Sequence, residues 1–120
     1  MTKDWRVFAD HVLEGIERIR DFRQRAEAGK ADPEMAFLAI LRLLETVCEA
    51  ASDKLPDEIK DRYFSVDWKA IRGMRIRLAH AYLSIDPAVI ESTIARDLDP
   101  LYEAMKREVP DWDARRNRKR

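Results

Sequence analysis

The chain has one cysteine, three glycines, two histidines and no long apolar run, and each scarcity removes a class of protein. Cys48 stands alone and cannot close an internal disulfide; set in an apolar periodic segment, it reads as a small buried hydrophobe in a reducing compartment, so a cytoplasmic location is expected. The longest purely apolar stretch runs only from Met35 to Leu41. Lys3, Asp4 and Arg6 are followed by no apolar core of the signal-peptide kind, so neither a leader nor a membrane span is expected. Gly15, Gly29 and Gly73 are too few and too scattered for a glycine-rich phosphate loop, and no Gly-x-Ser-x-Gly elbow occurs. His11 and His80 do not fall in a Glu-x-x-His spacing and have no second cysteine to join, which argues for no metal and no cofactor.

Charge is abundant but balanced: 23 basic residues face 23 acidic ones. The balance is uneven along the chain, because Arg115, Arg116, Arg118, Lys119 and Arg120 crowd the C-terminus and the body without them stands at −5. Such a body does not attract a polyanion through its overall field, so a local basic patch or the tail must do so. Residues 111–120 read as a basic, disordered, solvated tail, with RNA capture or partner docking as its other reading, and residues 1–110 as one domain.

What fills that domain is helical periodicity. Trp5, Phe8, Val12, Ile16, Ile19 and Phe22 recur at spacings of three and four and define a first long helix that Gly29 ends. Asp32 and Pro33 supply a cap and a first-turn proline for a second, carrying Phe37, Ile40, Leu41, Leu44, Val47, Cys48 and Ala51. Pro56 opens a short helical turn to about Arg62. Asp67 caps a third main helix with Trp68, Ile71, Met74, Arg75, Leu78 and Tyr82. Asp86 and Pro87 launch the last, which Pro100 should bend and Pro110 stops. No alternating β-branched run and no internal repeat competes, so the expected fold is all-α: an antiparallel, up-and-down bundle of four main helices plus a short one.

Chemistry concentrates in the third helix. Arg75, His80 and Tyr82 bring a permanent cation, a proton carrier and a phenol within eight residues, and Lys69, Arg72 and Arg77 surround them with no acidic residue between Trp68 and Ile85. The local field favours phosphate, with Arg72 and Arg77 as candidate RNA-binding residues. At about 100° per residue, Arg75 and Tyr82 lie within roughly 20° of each other, whereas His80 swings about 140° from Arg75. One straight helix does not aim both at one phosphate. Either the helix loosens after Leu78, or two copies complete the site around a two-fold axis.

The segment "IRGMRIRLAHAYLSIDP", with "LRLLETVCEA" before it and "IARDLDPLYE" after it, resembles HepT-like members of the HEPN superfamily over roughly residues 32–109. The resemblance implies a helical-bundle homodimer and a metal-independent endoribonuclease toxin whose Arg-x-x-x-x-His pair matches Arg75 and His80. It implies a partner too, an MntA-like nucleotidyltransferase antitoxin, whose adenylylation target in the family falls on Tyr82. The chemistry suits the residues: imidazoles serve as base and acid for a 2′-hydroxyl attack on the adjacent phosphate, while guanidinium offsets the charge growing on its oxygens.

One position departs from the family pattern. Where Asn or another polar residue commonly follows the motif arginine, this chain has Ile76, one turn before His80. A second reading therefore stays open, in which the chain is a catalytically degenerate binding module that partners a nucleotidyltransferase. Glu45 and Glu49 read as structural salt-bridge partners near Arg42, with one of them a candidate to hold Arg75. Trp5 and Trp68 fall on apolar helical faces and read as core or dimer contacts.

Overall fold

In a computed structural model, which describes residues 4–81 and 84–118, the chain folds into helices α1 (Arg6–Glu27), α2 (Pro33–Glu49), α3 (Asp57–Arg62), α4 (Trp68–Ala81), α5 (Pro87–Glu108) and α6 (Trp112–Arg118). The caps lie where the sequence signals them. Asp32 accepts from the Met35 N–H at 2.9 Å, Asp67 from Ala70 at 2.9 Å and Asp86 from Ala88 at 2.9 Å, each satisfying a donor that the first turn leaves without a partner. At the end of α1, Gly29 adopts φ 73°, and the N–H groups of Gly29 and Lys30 return to the carbonyls of Ala26 and Arg25. This 5→2 and 6→1 pair reverses the chain and places α2 antiparallel beside α1.

The helices close around Leu13, Ile16, Ile19, Leu44, Ile71, Leu78, Ile90, Leu98, Leu101 and Met105, all essentially inaccessible to water. Helix α1 packs along α2 and against α5, and α2 packs on α4. Gly15 sets the α1–α2 distance: a Cβ built there would lie 2.4 Å from Cγ2 of Val47. Cys48 is buried as expected, and burial, followed by the nearby Asp97 carboxylate, pushes its thiol up to about 12. Among the described residues, no helix is long and apolar enough to cross a membrane.

Two elements differ from the sequence reading. The second helix, expected to run on as a plain helix through Ala51, passes after Glu49 into a π-helical segment, Ala50–Lys54, where Ala50 and Ala51 are buried and the Ser52 carbonyl accepts from Nζ of Lys60. The C-terminal segment is not a disordered tail: residues 112–118 form α6, with Trp112 buried. Arg115 holds Asp10 through two hydrogen bonds of 2.7 and 2.8 Å, and Arg116 meets Glu17 at 2.6 Å. The basic cluster is thus partly spent on acidic groups of α1, about a hundred residues away in the chain. Among the described residues the bundle therefore has four main helices and two short ones.

Candidate functional site

Helix α4 meets the core through Ile71, Met74 and Leu78, spaced three and four apart. That stripe fixes where every other α4 side chain goes. Lys69, Ile76 and His80 face outward, and Ile76 is 46% exposed, an apolar side chain in water one turn before the exposed His80. Arg75 and Trp68 lie on the flank beside the π-helical segment. Arg77 lies on the opposite flank, where it lines a groove against α5 with Gly73, Ser92 and Arg96. Arg72 points the other way, into a hollow shared with Asp53, Lys60 and Lys69. The two candidate RNA-binding arginines therefore border different sides of α4.

Arg75 is held. Its Nε donates to Oδ2 of Asp53 at 2.9 Å, and Nη2 approaches the same oxygen at 2.9 Å, so one edge of the guanidinium is occupied, and among the described residues no partner takes Nη1. Asp53 is the carboxylate that sequence reasoning missed. Glu45 instead bonds Arg42 at 2.7 Å, in the structural role expected of it, and among the described residues neither Glu45 nor Glu49 engages Arg75. Asp53 follows Glu49 by four residues within the π-helical segment, whose wider turn sets it back from the position a plain α-helix would give it. No local pattern in Ala-Ala-Ser-Asp-Lys announces such a turn.

Helix α4 continues unbroken to Ala81, so it does not loosen after Leu78 to bring His80 round to Arg75. No hydrogen bond joins Arg75 to His80 among the described residues. Tyr82 lies outside the described residues. Among those described, no group of three or more His, Cys, Asp or Glu side chains gathers where a metal ion could be held.

A helical bundle with an oriented arginine and an outward histidine on one acid-free basic helix has the makings of a phosphodiester-directed site. The model of the family described as "Ribonuclease HepT-like" matches residues 12–108, and the chain belongs to that family. Curated relatives agree. The "Probable ribonuclease HepT" of Thermococcus cleftensis is 29% identical over 84% of this chain and 92% of its own. The "Putative RNase TTE0752" of Caldanaerobacter subterraneus subsp. tengcongensis is 31% identical over 84% of this chain and 90% of its own. A "Gamma-glutamylcyclotransferase and putative RNase" of Methanocaldococcus jannaschii is 27% identical over 99% of this chain, which spans 54% of that relative's length. No solved structure matches the chain.

Proposed function

We propose that the protein is an RNA endonuclease acting without metal, in which Arg75 binds the scissile phosphate and His80 moves protons. The observation that carries this reading is an Arg75 held through Nε and Nη2 with no partner on Nη1 among the described residues, on a helix without acidic side chains, five residues before the exposed His80 in the segment shared with the ribonuclease family. His80 takes the 2′-hydroxyl proton, O2′ forms a bond to phosphorus, and the P–O5′ bond breaks as a protonated imidazole gives its proton to O5′. Arg75 compensates the charge gathering on the non-bridging oxygens. The products are a 2′,3′-cyclic phosphate and a 5′-hydroxyl. DNA resists because it has no internal nucleophile.

Because Arg75 and His80 leave α4 about 140° apart, the complete site belongs to a homodimer, in which His80 of one copy acts as base and His80 of the second as acid on one phosphate between them. Arg72 and Arg77 extend the electrostatic attraction for RNA on either flank. Regulation completes the proposal: a nucleotidyltransferase antitoxin adenylylates Tyr82, seven residues after Arg75 in the sequence, and the added phosphodiester and adenosine compete for the arginine that substrate needs. The protein is then the toxin of a paired system.

A second reading rests on Ile76. Its exposed apolar side chain replaces a polar group that would orient the imidazole, which favours a bundle that has kept its partner and lost its chemistry. Purified, unadenylylated protein incubated with RNA in EDTA separates the two. Cyclic-phosphate products that disappear in His80→Ala support the nuclease; intact RNA from folded wild-type protein supports the binding module.

A further inference from the structure

We infer that Asp53 is the positioning residue for Arg75, an inference that rests on the proposed role of Arg75 in RNA cleavage. A free arginine side chain rotates about four bonds and offers its fork in many directions. Here Asp53 takes Nε and Nη2 with a single oxygen, and this fixes the guanidinium plane with Nη1 turned away from Asp53 and without a partner among the described residues. The two side chains are neither buried nor free, 31% and 37% exposed, so the pair is reachable by substrate yet supported by its surroundings.

The backbone that presents Asp53 is itself unusual. The π-helical segment sets it back from the position a plain α-helix would give it, and Lys60 fastens that segment through the Ser52 carbonyl. Trp68, at the start of α4, donates its indole N–H to the Tyr63 carbonyl at 3.1 Å, which secures the start of the helix that carries Arg75. Both partners of the ion pair thus stand on backbone secured by side-chain bonds, the arrangement that holds a reacting group in one geometry.

Positioning and simple charge neutralisation predict opposite signs. A carboxylate beside a phosphate site repels RNA, so removing its charge with Asp53→Asn should leave RNA affinity equal or tighter. If Asp53 orients Arg75, the same change lowers the single-turnover cleavage rate about tenfold to a hundredfold, because a misplaced fork loses the transition state rather than the ground state. In an Arg75→Ala background, Asp53→Asn should have no further effect on rate. Cleavage by Asp53→Asn as fast as wild type, or faster, overturns the inference.

An independent readout covers the case in which the wild-type protein leaves RNA intact and the nuclease reading fails. The Nε–H of Arg75, assigned in a ¹⁵N spectrum by its loss in Arg75→Lys, should exchange slowly in wild type and rapidly in Asp53→Ala. Equal exchange in both proteins overturns the positioning role whatever the activity. Thermal unfolding of each variant confirms that the comparison is made between folded proteins.

Discussion

Glu17 and Trp112 meet at 2.9 Å, indole N–H to carboxylate, across 95 residues of sequence, and the same Oε2 also accepts from Tyr102 at 2.7 Å and pairs with Arg116 at 2.6 Å. One carboxylate on α1 therefore gathers α5 and α6. Burial raises the cost of its charge, but the hydrogen bonds from Trp112, Tyr102 and Arg116 outweigh it and hold Glu17 below its ordinary value of 4.5. The same contact, after burial, pushes the Tyr102 phenol up to about 12.

Two outcomes follow for α6. Trp112→Ala should cost about 3 kcal/mol, the low end for a buried aromatic since a terminal helix can readjust, measured by denaturant unfolding. Glu17→Gln should be less stable than wild type at neutral pH. Because the folded carboxyl is lowered, its contribution is present above 4.5 and fades as pH falls through the folded value, so the gap between the two melting temperatures should close in acid. A gap that stays constant from pH 7 to pH 3 contradicts this account of the contact.

The α1–α2 approach gives a paired test. Gly15→Ala drives a methyl group to 2.4 Å from Val47, and overpacking of about 1 to 3 kcal/mol should exceed the roughly 1 kcal/mol that alanine gains in helix propensity. Val47→Ala should recover most of that loss when combined with it. Gly73→Ala, on α4 with nothing within 4 Å of the new methyl, should instead be neutral to stabilising by up to about 1 kcal/mol. Equal destabilisation at both glycines would show that packing is not what separates them.

These contrasts mark what the sequence made legible. Caps at Asp32, Asp67 and Asp86 and the three-four spacing of Ile71, Met74 and Leu78 are local, so the main helices could be placed from them. Arg75 and His80 were visible through residue type and family pattern. Asp53 was not, because its role depends on a π turn and on a neighbour 22 residues away. Helix α6 was hidden by its own charge: five basic residues read as a solvated end, while the acids that dock two of them lie on α1. A signal was there, since Asp111-Trp112 repeats the Asp67-Trp68 pair that opens α4.

For the proposed modification, coexpression with an active nucleotidyltransferase should add about 329 Da per adenylyl group to the wild-type chain, a mass set by the chemistry of the adduct. Tyr82→Phe should abolish that increment and leave the protein folded. Modification undiminished in Tyr82→Phe would move the acceptor elsewhere, and no increment in wild type would remove adenylylation from the account.

The central claim is that α4 carries a metal-free ribonuclease site, and the most direct measurement compares wild type, Arg75→Ala and His80→Ala on one RNA and its all-deoxy counterpart in EDTA, reading the ends of the products. The account predicts RNA cleavage with 2′,3′-cyclic phosphate ends by wild type, loss of about a hundredfold or more in each variant, and intact DNA. Cleavage of the all-deoxy strand, or RNA cleavage that survives in His80→Ala, would contradict it.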